Sequence, residues 1–220
     1  MRSMTICIYA LALVGCRKEY FSDQPFDAPI DCVVNGMAPF ETLDEAIAAA
    51  DVDGDGALTD ADARPGEAVF VIRVTGRHER SGWAAPPGYT VHSNLQALLT
   101  EVPFEDAVWG VNNYSVNCYP SLSVWLWFPL DRQVTPPTAS EVLNISAYLY
   151  GQMLGGELDD ETVADGTVYV TRFDPDGASG FFEGTASIRM YAQIPRRRLT
   201  GQTVVVDAMA WRDIPLNPAR

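Results

Sequence analysis

Residues 166–194, GTVYVTRFDPDGASGFFEGTASIRMYAQI, decide the fold class of this chain. Two runs rich in β-branched and aromatic residues flank Asp174-Pro175-Asp176-Gly177. Proline and Asp-Gly occupy their usual positions in a tight turn, so the stretch predicts a β-hairpin. The alternative is that the two aspartates belong to a second carboxylate cluster. The hairpin interpretation is favoured, and it makes antiparallel β structure the starting hypothesis.

The same pattern extends from residue 107 towards the C-terminus. Turn-forming residues separate short apolar runs, and no helical segment lies between them. Successive strands joined by turns predict a mainly β fold, an antiparallel β-sandwich or barrel, and disfavour parallel α/β architecture. The predicted strands are residues 107–116, 121–128, 142–153, 166–173, 180–194 and 202–211.

The N-terminal part of the folded body has a different pattern. Residues 40–50, FETLDEAIAAA, predict a short helix, with Thr42 and Glu45 at the spacing of a capping box. Residues 68–75, AVFVIRVT, predict a buried strand. SNLQALL, residues 93–99, is interpreted as a short helix, with a strand edge as the alternative.

An acidic loop, DVDGDGALTDAD at residues 51–62, follows the helix. Calcium binds six to eight hard oxygen atoms, which alternate side chains of a tight loop can supply. The spacing resembles the calcium loop of EF-hand and dockerin modules, with Gly56 at the sharp turn. Asp60, at position 10, is expected to point to water. The ligands that this resemblance implies are Asp51, Asp53, Asp55, Ala57 through its carbonyl oxygen, Thr59 and Asp62.

Two departures from that family pattern affect the interpretation. Position 12 is Asp62 rather than glutamate, as in dockerins, so the side chain reaches less far. Pro65-Gly66 follows closely and leaves room for about one exiting helical turn. Because the loop occurs once, a structural calcium site is favoured over a paired module or a calcium sensor that opens. The alternative is a solvated acidic turn without metal.

Residues 1–16, MRSMTICIYALALVGC, are typical of a secretory signal. The apolar run of about ten residues is too short to span a bilayer. Leu13-Val14-Gly15-Cys16 resembles the lipobox of bacterial lipoproteins, which implies cleavage before Cys16 and a lipid on that cysteine. By the same resemblance, Arg17 favours the outer membrane in a cell that has one. The alternatives are an ordinary signal peptide with a chance cysteine, or a buried N-terminal strand.

The expected organisation is therefore a signal peptide at 1–15, a tether at 16–31 and one β-rich domain at 32–220. Cys32 and Cys118 remain after cleavage and lipidation, and in an oxidising compartment they are expected to form a disulfide. The alternative is two separate buried thiols. The C-terminal third, DGTVYVTRFDPDGASGFFEGTASIRM followed by TVVVDAMAW, resembles the ends of uncharacterised secreted β-sandwich lipoproteins.

The charge balance narrows the classes of partner. The chain has 15 basic and 29 acidic residues and a formal net charge of −14. Such a surface repels nucleic acid and suits divalent cations. There is no P-loop, dinucleotide fingerprint, C-x-x-C or G-x-S-x-G motif, so an enzyme is not expected. A hydrolytic set can be drawn only around His78, Ser81 and an unspecified aspartate.

The segment SLSVWLWF carries the second candidate site. Alternation along a strand places Trp125 and Trp127 on the face opposite Val124, Leu126 and Phe128. The segment is interpreted as a central strand covered on both faces, or as a tryptophan-lined patch for an apolar ligand or a protein partner. The sequence thus predicts a lipid-anchored calcium-binding protein of the cell envelope, with a binding or structural role. The alternatives are a carrier of a small apolar ligand and, third, a surface hydrolase.

Overall fold

The computed structural model describes residues 30–32, 39–79, 81–102, 107–116, 122–149, 152–154, 162–193 and 198–218. These residues contain a short helix, α1 (Leu43–Ala50), and twelve strands. The strands are β1 (Glu67–Gly76), β2 (Thr90–Asn94), β3 (Leu99–Glu101), β4 (Val108–Val116), β5 (Leu122–Pro129), β6 (Thr138–Glu141), β7 (Asn144–Leu149), β8 (Gln152–Leu154), β9 (Thr162–Asp174), β10 (Gly177–Gln193), β11 (Arg198–Ile214) and β12 (Leu216–Asn217).

The strands form two six-stranded sheets. The order is β2-β1-β11-β10-β9-β6 in the first sheet and β12-β3-β4-β5-β7-β8 in the second. Neighbouring strands are antiparallel, except that β12 pairs parallel with β3. In the described part of the chain neither sheet closes on itself, and the two share one core. The predicted mainly β fold is confirmed, in its sandwich form.

The inner core lies between the two sheets. Alternate residues of each strand point into it, because successive side chains of a strand lie on opposite faces. On β5, Val124, Leu126 and Phe128 are fully buried, whereas Trp125 and Trp127 are half-buried on the outer face. This confirms the predicted division of the strand. The largest fully buried side chains of the inner core are Trp109, Trp211, Phe70, Phe128 and Phe182.

A smaller outer cluster lies on the other face of the first sheet. Val69 and Val71 of β1 contribute to it, so β1 is covered on both faces. That double burial explains the continuous apolar sequence AVFVI. The remaining buried members come from α1, from the acidic loop and the residue that follows it, and from β11; they are Ala46, Ala50, Leu58, Ala63, Ala208 and Ala210.

Helix α1 begins with the predicted capping box. The hydroxyl of Thr42 accepts the backbone N–H of Glu45, and the Glu45 carboxylate accepts the N–H of Thr42. The predicted start at residue 40 was too early, because Phe40 instead pairs with Tyr89 through two backbone hydrogen bonds of 2.9 and 2.8 Å. The helix is thereby joined to the chain just before β2.

Several predicted boundaries change in the structure. Residues 93–99 are not a helix; they span the end of β2, a turn and the start of β3, so the strand alternative is correct. The predicted strand 142–153 divides into β7 and β8. Strands β6 and β12 had no counterpart in the sequence prediction.

The β9–β10 hairpin confirms the Asp174-Pro175-Asp176-Gly177 turn. Arg172 donates to Asp174 at 2.7 Å, and this contact lowers the pKa of the Asp174 carboxyl, with help from the N–H of Asp176. In the described part of the chain, these aspartates belong to no cluster of three or more metal-ligating side chains. They act as turn residues.

Candidate metal site and other candidate sites

The acidic loop connects α1 to β1 over the outer face of the first sheet. It brings together the carboxylates of Asp51, Asp53 and Asp55, with one oxygen of each within 4.8 Å of the others. Three carboxylate oxygens at this separation could hold a metal ion. The sequence predicted this group from the alternating aspartates.

Backbone hydrogen bonds hold the three carboxylates side by side. Asp51 accepts the N–H groups of Gly54 at 2.6 Å and Gly56 at 2.8 Å. Asp53 accepts the N–H of Asp55 at 3.1 Å, and Asp55 accepts that of the next residue but one. Both glycines have φ near +80 to +90°, a conformation that other residues rarely adopt. The tight winding of the loop therefore depends on them.

The electrostatics differ within this group. The N–H groups of Gly56 and Gly54 lower the pKa of Asp51, because they stabilise its charged form. The N–H of Asp55 acts in the same direction on Asp53. There, however, desolvation and the negative charges of Asp55, Asp62 and Asp51 outweigh it and raise the pKa. The loop thus concentrates negative charge, which a cation would neutralise.

Asp62 has a different place in the loop. Its side chain is buried, with 5% exposure, and lies outside the group of three. One oxygen accepts the N–H of Val52 at 2.7 Å and that of Asp53 at 3.3 Å; the other accepts the N–H of Thr59 at 2.8 Å. The carboxylate therefore ties the start of the loop to its end. As metal ligands, Ala57, Thr59 and Asp62 remain predictions.

Asp60 corrects one expectation. It was predicted to point to water, but its Oδ2 accepts a 2.8 Å hydrogen bond from the hydroxyl of Thr171 on β9. The loop lies across the sheet, so position 10 faces a strand rather than solvent. Thr171 is 111 residues away in the sequence, and no local pattern could have indicated the contact.

The tryptophan pair lies on the outer face of the second sheet. The rings of Trp125 and Trp127 are stacked, with centroids 5.2 Å apart and planes 4° from parallel. Trp127 donates its indole N–H to Ser146 at 2.7 Å. Its ring occupies the space that a side chain at Gly110 would need. The predicted pair is therefore brought together as a half-buried aromatic stack.

His78 and Ser81 contact each other within one turn. The ring Nδ1 of His78 lies 3.0 Å from the Ser81 hydroxyl and accepts the Ser81 N–H at 3.3 Å. Burial lowers the pKa of His78, and its buried Nε2 has no hydrogen-bond partner among the residues that the structure describes. Gly82 donates to the His78 carbonyl in the same turn. The contact closes a turn, and the described residues give His78 no hydrogen-bonded carboxylate.

Several predicted residues lie outside the described part of the chain, among them the lipobox with Cys16, and Cys118. Cys32 is buried in the inner core, and its bridge to Cys118 remains a prediction. The backbone of Ile30 exchanges two hydrogen bonds, of 2.9 and 3.2 Å, with the buried side chain of Gln202. Ile30, which was assigned to the tether, therefore packs against the folded domain.

Comparisons of the chain with family models, with curated proteins and with solved structures find no match. Among the described residues, no helix has both the length and the apolar character needed to cross a membrane.

Proposed function

We propose that this protein is a lipid-anchored, extracytoplasmic β-sandwich that binds calcium at residues 51–62 as a structural ion. The observation that carries the calcium proposal is the convergence of Asp51, Asp53 and Asp55 within 4.8 Å. Like charges this close repel one another, and a divalent cation replaces the repulsion with attraction. Calcium fits the donor set because it prefers hard oxygen ligands in a flexible geometry. The Ala57 carbonyl, Thr59 and Asp62 would complete the shell.

The position of the loop favours a structural role over a sensing role. It joins α1 to β1, and both elements already pack in the outer cluster. Leu58 and Ala63 anchor the loop there. A cation would stiffen a connection whose two ends are fixed. The resulting role is surface binding or surface structure, with a protein partner of unknown identity.

Calcium titration of thermal stability tests the site. Extracellular calcium modules have dissociation constants of about 10⁻⁴–10⁻³ M. Ten-fold excess over such a constant adds about 1.4 kcal/mol of stability, which raises Tm by a few degrees. Asp55→Ala should lose most of this rise. Asp60→Asn is the matched control, because it removes a charge outside the group of three and keeps an acceptor for Thr171. Magnesium should stabilise less.

Equal calcium responses of Asp55→Ala and Asp60→Asn would contradict the site. In that case calcium would act only on the general negative field of the loop.

The envelope location is supported by the lipobox, and the membrane is the expected partner through the lipid. Cys16→Ser should abolish lipid labelling and leave the precursor uncut; equal labelling of this variant would remove the anchor. The proposed Cys32–Cys118 disulfide fits export to an oxidising compartment. Non-reducing mass mapping of the exported protein should find the two peptides linked.

The aromatic stack favours a second candidate function, a carrier of a small apolar ligand. Trp125 and Trp127 present two parallel, half-buried rings on the outer face of a sheet. Aromatic surfaces of this kind are common in ligand sites. A fatty acid that quenches tryptophan emission in the wild type, but not in a Trp125→Ala/Trp127→Ala variant, would support the carrier.

A further inference from the structure

Residues 40–63, here called the strap, run across the outer face of the first sheet. At one end, Phe40 pairs with Tyr89, which immediately precedes β2 at the sheet edge. At the other end, Asp60 bonds Thr171 on β9. Because the strand order is β2-β1-β11-β10-β9, the strap reaches from an edge strand to the fifth strand. It is tied at both ends of this path.

The strap fully buries few large side chains. Its buried members of the outer cluster are Ala46, Ala50, Leu58 and Ala63, three of them alanines, while its larger apolar side chains, Phe40, Leu43 and Ile47, pack there only partly buried. The inner core also contains alanines and valines, but in contrast to the strap it fully buries many leucine and isoleucine side chains and several aromatic rings. Segments with few buried apolar contacts open at lower free energy than the core of the same domain. The strap is such a segment.

Among the described residues, the tie to β9 is one side-chain hydrogen bond. Thr171 donates its hydroxyl to Asp60 at 2.8 Å, and Asp60 is half-buried. The neighbouring group of three carboxylates does not include Asp60. The bond therefore has a role separate from any cation that the loop holds.

The tie to β2 depends on close approach of two backbones. The two hydrogen bonds between Phe40 and Tyr89 bring Phe40 against Gly88. A Cβ atom at Gly88 would lie 2.6 Å from the Phe40 carbonyl oxygen, and Gly88 has φ +131°. An alanine at this position would therefore push the strap away from the edge strand.

We propose that the strap is a latched cover, which opens as one unit while the sandwich stays folded, and that the Asp60–Thr171 bond is its latch. Opening uncovers an apolar strip of the first sheet, formed by Val69, Val71, Ala208 and Ala210. Neither tie involves the three clustered carboxylates, so opening does not require a cation.

Hydrogen exchange followed by mass spectrometry tests this on the full exported chain, with a chelator present throughout. In the wild type, peptides covering residues 43–63 should exchange faster than those of β5. Thr171→Val should raise strap exchange about five-fold, the effect of one lost hydrogen bond, and leave β5 unchanged. Thr171→Ser keeps the hydroxyl and should behave like the wild type. Gly88→Ala should raise strap exchange from the other end.

One outcome would overturn the cover, and another would overturn its latch. If strap and β5 peptides exchange at the same rate in every variant, the strap opens only when the whole domain unfolds. If Thr171→Val leaves strap exchange unchanged while Gly88→Ala raises it, the strap opens but Asp60–Thr171 is not its latch. Since no calcium is present, neither outcome depends on the metal site.

Discussion

The two faces of strand β11 bury very different side chains. Met209 and Trp211 face the inner core, whereas Ala208 and Ala210 face the strap. Strand β1 shows the same division more weakly, with Phe70 on the inner face and valines on the outer. One sheet therefore supports two layers that differ in how they are stabilised.

The inner layer depends on apolar area, whereas the acidic loop of the outer layer depends mainly on hydrogen bonds. Burial of apolar surface contributes about 25 cal/mol per Å², so large rings dominate the inner core. The acidic loop supplies little such area, yet its backbone must still be satisfied where it lies on the sheet. Asp51 and Asp62 accept five of its N–H groups between them. Hydrogen bonds to carboxylates thus stabilise the loop of the outer layer, whereas burial of large side chains stabilises the inner layer.

The largest effect should come from the inner layer. Phe182 is fully buried there, and its neighbour Phe181 lies on the outer face, stacked on Tyr169. Phe182→Ala should cost about 3–5 kcal/mol of unfolding free energy, because it leaves a cavity. Phe181→Ala is the matched control and should cost clearly less. Urea denaturation measures both. If the two variants lose the same stability, the two faces are not energetically distinct.

A smaller effect is expected from the carboxylate that closes the loop. Asp62→Ala leaves the N–H groups of Val52, Asp53 and Thr59 without their acceptor, at a cost of about 2–3 kcal/mol. Asp62→Asn keeps one acceptor oxygen and should lose about half as much. Strap exchange should rise more than β5 exchange. A loss of stability equal in both variants would show that charge, not hydrogen bonding, makes Asp62 important.

The parts of the fold that were predictable have local causes. Continuous or alternating apolar runs indicated the main strands, and the capping box of Thr42 and Glu45 indicated the helix. The Asp174–Gly177 turn followed from residue chemistry. Residues 93–99 were misinterpreted, because SNLQALL has helix-forming residues while its strands are set by pairing with β1 and β4. Strand β6, with sequence TASE, has no apolar run to signal it.

The candidate site likewise has a part that the sequence predicts and a part that it does not. The clustering of Asp51, Asp53 and Asp55 follows from spacing within one tight loop, so the sequence contains it. The bond between Asp60 and Thr171 depends on how the loop lies on a sheet assembled from distant strands. Spacing within the loop cannot specify that orientation. For this reason position 10 was predicted to face water and instead faces β9.

The smallest effect on stability should come from the opposite pKa shifts of Asp51 and Asp53. It is also the most specific test of the outer layer, because the two variants should change Tm in opposite directions. The pKa of Asp51 is lowered by the N–H groups of Gly56 and Gly54, so its ionised form stabilises the fold above about pH 4 and this contribution is lost at lower pH. The pKa of Asp53 is raised: the Asp55 N–H opposes the shift, but desolvation and neighbouring negative charges outweigh it. Ionised Asp53 therefore weakens the fold as pH rises through the same range.

With a chelator at pH 7, Asp51→Asn should lower Tm and Asp53→Asn should raise it slightly. Each difference from wild type should shrink as the wild-type carboxyl is protonated, which happens at a higher pH for Asp53 than for Asp51. With calcium present, Asp53→Asn should instead have a lower Tm than the wild type. The variant loses a proposed ligand, whereas in the wild type the cation neutralises the crowded carboxylates. Thermal melts at pH 7 and at lower pH, with and without calcium, measure all of this. If both variants move Tm in the same direction without calcium, the loop does not distinguish its two aspartates, and hydrogen bonding is not what stabilises the outer layer.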